Sequence, residues 1–521
     1  MKLKHLGLAF IIFLLTPTTQ AQTTKPNIII IMADDLDSRQ LSCYGGKNLK
    51  TVHIDALAQE GLKFTNLIAS EAMCVPTRAS LFTGLYPVKH GSFQNHKPVY
   101  DHLKSVGHYL GDLGYRVGLT GKDHVTKPKS VFPFDIITGF EPNCVAPTDE
   151  YQLGDIKKYI TTSEKPYCLF VMSINPHMPW TVGDTSEFNA ANLILPKDWV
   201  DTPVTRRQYV KYLAEIRRLD DQVGDIQGLL KETGQDKNTI VIFLGEQGAQ
   251  IPGAKWSLYD SGQRSSMIVK WPGNVKAATE TAAMAQYEDI TPTLIDIAGG
   301  KTITELDGKS FLPTILGKSK GERKYAFGIH NNIPEGDPYP IRSIRDDRYK
   351  LILNLIADKP YYNKFMMNRE RKDRNTVWFS WLAEAETNPA AKKLTDRFEN
   401  RPPVEFFDTQ KDPFELNNLA GDPTYQKRIT AQKRAAKLDE AAGRCGRGDR
   451  QGLCQEALSN LPARDYSFVS NTSKYFPFCF NCLLASTMRV TGRLSHLVLK
   501  LSYSIPSVDG SSVETVQDFG S

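Results

Sequence analysis

The chain has 521 residues, 40% of them hydrophobic, with 64 Lys and Arg against 58 Asp and Glu. That length and composition bury a large core, which excludes a disordered chain or a mini-protein and implies two domains, one large and one small. The formal charge of +6 falls to +4 without the two lysines of the leader, too weak a basic field for nucleic acid, which is excluded as a partner.

In chain order, the first element is an export signal: Lys2 and Lys4 precede an apolar run from Leu6 to Leu15, and Thr19-Gln20-Ala21 offers small residues for cleavage after Ala21. The run falls short of the roughly 20 residues that span a bilayer, so the expectation is a periplasmic or secreted protein with no membrane span in its mature form. No cysteine sits just after the cleavage site, so a lipid-anchored form is not indicated.

Four apolar runs then have the length of buried strands, and each ends in polar residues. Asn27 to Met32 leads into Asp34-Asp35, Tyr115 to Leu119 into Gly121-Lys122-Asp123-His124, Tyr167 to Ser173 into Asn175 and His177, and Thr239 to Leu244 into Glu246-Gln247. Such runs suit a parallel sheet covered on both faces. Between the last two, Tyr209, Tyr212, Ile216, Leu219, Val223, Ile226 and Leu230 recur at steps of three and four within Thr205 to Lys231, the stripe of a helix packed on that sheet. The expected fold is therefore α/β, a large and mostly parallel sheet flanked by helices, whose polar strand ends converge at one rim.

Gly299-Gly300 closes a helical stretch, and from about Ile341 shorter segments such as Tyr349 to Leu355 suggest a smaller α+β subdomain. The expected division is 1–21 signal peptide, 22–338 catalytic domain, 339–440 C-terminal subdomain and 441–521 an atypical tail, disordered or aberrant. Four of the eight cysteines fall in that tail, the other four being Cys43, Cys74, Cys144 and Cys168. In an exported protein some of these are open to pairing. Cys479-Phe-Asn-Cys482 is half a zinc site without a matching second pair. Phe478 to Leu501 is interrupted by Arg489, Arg493 and Lys500, which argues against a membrane segment.

Two motifs carry the chemistry. Adjacent Asp34 and Asp35 at a strand end repel each other unless a cation lies between them, or else one caps a helix and the other is solvated. In Cys74-Val75-Pro76-Thr77-Arg78, Pro76 and Thr77 open a helix and put Cys74 just before its first turn, where free backbone N–H groups favour an anion. With Arg78 one turn on, Cys74 is either a nucleophile of lowered pKa or an inert buried thiol.

Taken together, these motifs resemble a type I sulfatase of the alkaline-phosphatase superfamily, over roughly Lys25 to Pro423, in a divergent heparan N-sulfatase-like subfamily. The family's Cys-x-Pro-Ser-Arg-x-x-x-Thr-Gly is matched at Cys74, Pro76, Arg78, Thr83 and Gly84, with Thr77 in place of the serine. Gly121-Lys122-Asp123-His124 resembles its Gly-Lys-x-His, Pro176-His177-x-Pro179 its histidine loop, and Lys255-Trp256 its later lysine. Pro340-Ile341-Arg342, Arg348-Tyr349-Lys350 and Phe407-Asp408-Thr409 to Asn418-Leu419 resemble its C-terminal signatures. One departure stands out: Glu246-Gln247 occupies the place of an Asp followed by Asn or His, and Gly245 and Gly248 are expected to give the backbone freedom to absorb the longer side chain.

The resemblance implies oxidation of Cys74 to formylglycine (3-oxoalanine) by a formylglycine-generating maturation enzyme. It also implies Ca2+ held by Asp34, Asp35, Glu246, Gln247 and the modified Cys74. The nucleophile is then a hydroxyl of the hydrated aldehyde. Lys122 and His124 hold residue 74 and the sulfate, His177 and Lys255 steady the sulfate and the leaving group, and Arg78 orients residue 74. The implied substrate is a sulfated glycan, cleaved at a sulfate ester or N-sulfate. A phosphonate or phosphate ester hydrolase on the same scaffold, or an inactive glycan-binding relative, are the competing readings.

Overall fold

The computed structural model describes residues 25–367 and 376–439, together with the strands Ser502–Pro506 and Ser512–Val516. The expected leader, its expected cleavage site and the tail cysteines lie outside the described residues. Eight strands build the main sheet: β1 Asn27–Met32, β2 Leu62–Ile68, β3 Arg116–Gly121, β4 Asp135–Ile136, β5 Tyr167–Met172, β6 Thr239–Leu244, β7 Arg264–Lys270 and β8 Thr279–Gln286. Their order is β4-β3-β5-β1-β6-β7-β2-β8, and every pairing is parallel except the two that β7 makes. All four expected strands are present, and they are the four adjacent strands β3-β5-β1-β6.

Alternation along these strands feeds two cores. Ile29 and Ile31 of β1, Leu169 and Val171 of β5, and Val241 and Phe243 of β6 face one layer. Ile28, Ile30, Phe170, Ile240 and Ile242 face the other. Helix α1, Cys74–Thr83, covers the second layer through Val75, Ala79, Leu81 and Phe82. Helix α2, Pro203–Glu232, covers the first, and all seven residues of its expected stripe are buried there. Pro203 at its start and the Thr202 side chain, which accepts from Thr205 N, fix its N-terminus. Helix α3, Ile290–Ile297, adds Ile290, Leu294 and Ile297 to the second layer and ends before Gly299, which is at φ +79°.

The sequence reading did not anticipate β2, β7 and β8. Strand β8 reads Thr-Glu-Thr-Ala-Ala-Met-Ala-Gln, poor in β-branched and aromatic residues, and it is held by its pairing with β2 at the sheet edge. A second, four-stranded antiparallel sheet is formed by β9 Ala326–His330, β10 Ile341–Arg345, β11 Tyr349–Asn354 and β12 Val404–Asp408, in the order β12-β11-β10-β9. It begins at Ala326, ahead of the boundary expected at 339. One face carries Ile344, Leu351 and Phe406 beneath Ile429 of helix α4, Gln426–Asp439. The unit from Arg447 to Ser521 contains the antiparallel pair of β13, Ser502–Pro506, and β14, Ser512–Val516. Among the described residues the four cysteines are unpaired, and no helix is long and apolar enough to cross a membrane.

The inner face of the small sheet carries charge. Lys350, fully buried on β11, places Nζ 2.6 Å from Asp260 and 2.7 Å from Glu415, and Arg345 of β10 meets Asp260 at 2.7 Å. Asp260 closes the loop that carries Lys255, so this network ties the small sheet to the main one. Lys350→Met would leave Glu415 and part of Asp260 buried without a counter-charge. We expect it to lower unfolding free energy by about 3–5 kcal/mol in a denaturant titration.

Candidate active site

The register of the four central strands brings their carboxyl ends level. Met32 lies opposite both Met172 and Leu244, and Gly121 lies opposite Met172. Backbone bonds from Ala33 N to Leu244 O, Asp34 N to Asn175 O and Lys122 N to Met172 O continue that level past the strand ends. Gly121 is required here: its φ is +85°, and a Cβ would lie 2.1 Å from Met172 O. Asp34, Asp35, Lys122, His177, Glu246 and Gln247 therefore leave the sheet at one rim, as the strand-end pattern implies.

Asp35 adopts a left-handed backbone, φ +54°, secured by the long helix: Tyr212 Oη donates to Asp35 O at 2.8 Å and accepts from Asp37 N at 2.8 Å. Cys74 is the first residue of α1 rather than the residue before it, because Met73 has the extended backbone of the cap, and Pro76 falls inside the first turn. Thr77 donates its hydroxyl to Glu71 O at 2.8 Å, and its methyl is buried, so the hydroxyl common to Ser and Thr is the group in use.

Cys74 Sγ lies 3.5 Å from Asp34 Oδ1, 3.8 Å from Asp35 Oδ1 and 3.4 Å from Gln247 Nε2. Lys122 Nζ pairs with Asp34 Oδ2. Lys255 Nζ pairs with Asp35 Oδ2 at 2.7 Å and is 3.4 Å from His177 Nε2, which is itself 3.6 Å from that carboxylate oxygen. Arg78 donates from Nε to Glu246 Oε1 at 2.5 Å and from Nη1 to Lys122 O at 2.9 Å, with Nη2 3.9 Å from Asp34. It thus fastens two strand ends to the helix of Cys74, without a bond to Cys74 itself.

His124 is at the same rim but stands back. Its backbone is left-handed at φ +44°, its buried Nδ1 has no partner, and its ring meets His96 edge to face with centroids 4.9 Å apart. His96 and Tyr212 were not anticipated. A lone exposed histidine carries no sequence signal, and Tyr212 read only as part of an apolar stripe.

Burial governs the electrostatics. It would raise Asp34, but Lys122, then His177, Glu246 and Arg78 hold that carboxyl well below its usual range. Glu246 goes the other way: burial drives it well above, aided by Asp34 and Cys74 and opposed by Arg78 and Lys122. Burial works against the charge on Lys255, yet Asp35 keeps its pKa well above the usual lysine value. His177 is lowered by burial, and His124 is pushed down to about 2 by burial, Lys122 and Arg78, so both imidazoles are neutral.

The residues suit a cation. One ligand atom each from Asp34, Asp35, Cys74 and His177 lie within 4.8 Å of one another, and the buried oxygens Glu246 Oε2 and Gln247 Oε1 lack partners. Gln247 presents its amide nitrogen to Asp35 Oδ1 at 2.6 Å, and a half-turn of the amide would present oxygen instead. His177 joins this group, whereas Glu246 is turned toward Arg78. The glycines beside Glu246-Gln247 correct the expectation of backbone freedom. A Cβ on Gly245 would lie 2.3 Å from Ser265 Oγ and one on Gly248 1.7 Å from Ser261 O, so they permit close packing and hold the segment in place.

A thiol at a buried helix start, facing two aspartates and three cationic side chains beyond the carboxyl ends of parallel strands, is placed where α/β proteins bind their ligands. Residues 26–300 match the sulfatase family, and residues 254–401 match the group described as N-sulphoglucosamine sulphohydrolase, C-terminal. The chain belongs to the sulfatase family and is a sulfatase. It is 33% identical over 422 residues to an ulvan-active sulfatase of Formosa agariphila, covering 78% of each chain. To human N-sulphoglucosamine sulphohydrolase it is 26% identical over 460 residues, covering 77% of this chain and 86% of that one. A structure solved with its substrate D-glucosamine-2-N,6-O-disulfate shares the fold with a TM-score of 0.64 at 19% identity, over 82% of this chain and all of that one. The phosphonate monoester hydrolase of Agrobacterium radiobacter does so with a TM-score of 0.62 at 20% identity, over 80% of this chain and 96% of that one.

Arg78 makes two directed hydrogen bonds from one planar group and holds its third nitrogen 3.9 Å from Asp34, an arrangement that a lysine cannot reproduce. Arg78→Lys is expected to lower kcat by at least about a hundredfold and to destabilise the fold by about 2–3 kcal/mol, measured by steady-state kinetics and thermal unfolding.

Proposed function

We propose that the protein is an exported sulfatase that removes sulfate, as ester or N-sulfate, from sulfated carbohydrates, with Cys74 matured to formylglycine and Ca2+ as its metal. The observation that carries this reading is the placement of Cys74 at the start of a buried helix, against Asp34 and Asp35, with Lys255 and His177 alongside. Relatives named ulvan-active sulfatase and N-sulphoglucosamine sulphohydrolase support the carbohydrate class. The basic and apolar leader ending at Ala21 supports export. The Cys74 motif supports a formylglycine-generating enzyme as partner.

Asp34, Asp35, Glu246 and Gln247 would hold the ion together with residue 74. Calcium accepts six to eight oxygens at roughly 2.3–2.6 Å with loose geometry, which suits a long carboxylate and an amide oxygen. When bound, the ion supplies positive charge that lowers the pKa of an oxygen on residue 74, and the aldehyde of formylglycine supplies that oxygen on hydration. The remaining work falls to side chains. Lys122 and Lys255 bring ammonium groups that bind sulfate oxygens. Arg78 holds the ends of β3 and β6 in register with α1. The Lys255 ammonium, 3.4 Å from His177 Nε2, is placed to supply the proton that the leaving group takes up, directly or through the His177 ring. Lys122 would bind the sulfate from the β3 side, with His124 at the same rim beside His96.

Sulfate release from a panel of defined sulfated oligosaccharides tests the reading, with an aryl phosphate as the competing substrate. Mass spectrometry of the Cys74 peptide should show the aldehyde in active enzyme, and Cys74→Ala should abolish turnover with the fold retained. Fully active protein with an intact thiol would overturn the formylglycine assignment. Glu246→Gln removes one negative charge from the ion's surroundings and is expected to lose bound metal and activity together, whereas Gln247→Asn retains part of both. Elemental analysis of the purified variants checks the metal.

A further inference from the structure

The floor of the site is closed. The side chains of Asp34, Asp35, Lys122 and Lys255 are at most 2% exposed, so whatever recognises the remainder of a substrate stands at the mouth. Two histidines are there, half-buried His124 and exposed His96, with ring planes at 83°. Both have a left-handed backbone, at φ +44° and +62°, and non-glycine residues held this way persist only where the surroundings enforce it.

For His96 the enforcement is visible. Ser92 donates its hydroxyl to Lys97 O at 2.6 Å and its N–H to His90 Nδ1 at 3.1 Å. The buried His90 ring has Nε2 3.2 Å from Ser80 Oγ of α1, and Tyr100 N donates to His90 O at 3.0 Å. Loop 91–99 is therefore clasped at its base to the helix that begins with Cys74, and it carries His96 toward solvent beside His124. Burial, Lys122 and Lys255 all disfavour a charge on the His96 imidazole. A neutral imidazole offers one N–H donor and one acceptor, the complement of a hydroxyl or amide, while the ammonium groups below suit the sulfate itself.

We propose that His96 contacts substrate directly, hydrogen-bonding an uncharged polar group on the sugar ring that bears the sulfate, and so helps to set which sulfated carbohydrate is accepted. This rests on the carbohydrate reading above. His96 lies outside the motifs that carry Cys74, the two aspartates and the two lysines.

The test compares wild type, His96→Ala and His96→Asn on the sulfated oligosaccharide that wild type desulfates fastest and on nitrophenyl sulfate, which has no sugar. Asparagine tolerates a left-handed backbone well, so His96→Asn should keep the wild-type thermal midpoint, while its shorter side chain withdraws the ring nitrogens. For both variants kcat/KM on the oligosaccharide is expected to fall about tenfold to a hundredfold, chiefly through KM, with turnover of nitrophenyl sulfate within about threefold of wild type. An equal fall on both substrates would assign His96 to the sulfate site or to the fold and overturn the proposal. Unchanged kcat/KM on the oligosaccharide would overturn it while leaving the carbohydrate reading intact. A wild type that cleaves nitrophenyl sulfate and no sulfated carbohydrate would overturn both.

Discussion

Six ionisable side chains are buried together at the carboxyl ends of four adjacent strands. Asp34, Asp35 and Glu246 stand against Arg78, Lys122 and Lys255, all at most 2% exposed. An isolated ion in such a place costs several kcal/mol after all relaxation, so no one of the six is tolerable alone. Formal charges of three minus and three plus cancel when every group is ionised. Burial drives the Glu246 carboxyl well above its usual range and so works against full ionisation there. A balanced site has little net attraction for a sulfate anion. Adding a divalent cation leaves it two charges positive and pulls Glu246 toward its ionised form, which is the electrostatic reason for expecting metal and anion binding to go together.

Much of the remaining architecture serves that cluster from a distance. Arg78 reaches Glu246 and the Lys122 carbonyl only because α1 begins at Cys74 and carries Arg78 one turn on. Tyr212 fixes the turn of Asp35 only because α2 lies across the first face of the sheet. Lys255 sits on a loop whose backbone is tied to the approach of α1, with Trp256 N donating to Ala72 O at 3.0 Å, and whose far end is anchored through Asp260 to the small sheet. The small sheet therefore bears on the site through loop position, although its described strands supply none of the six charges.

The sequence made legible what depends on short-range pattern. Buried strands announce themselves as β-branched runs, and the expected limits of β1 and β6 coincide with those observed. The α2 stripe survives intact because a helix on a sheet face must be apolar every three or four residues. Edge strand β8 was hidden because its stability comes from pairing with β2 rather than from its own residues. For the site, the resemblance named residues that the fold does bring together, apart from His124, which stands back against His96. It could not show that Lys122 and Lys255 would be bound to the two aspartates, since those pairings join residues 88 and 220 positions apart.

The pair Glu246-Gln247 illustrates how a local departure is absorbed. Glycines on either side suggest a backbone that yields to a longer carboxylate. In the fold, however, Gly248 abuts the Ser261 carbonyl so closely that it has no room for a methyl group, and a methyl on Gly245 would have to displace the Ser265 hydroxyl. Tyr287 further pins Gly245 O with a 2.8 Å hydrogen bond. With the backbone held, the extra methylene of Glu246 must be accommodated by the side chain. It directs Oε1 to Arg78 and leaves Oε2 without a partner. The longer arm thus lets one carboxylate engage the arginine on α1 and still present an oxygen, a division of labour in which Arg78 and Glu246 have to be considered as one unit.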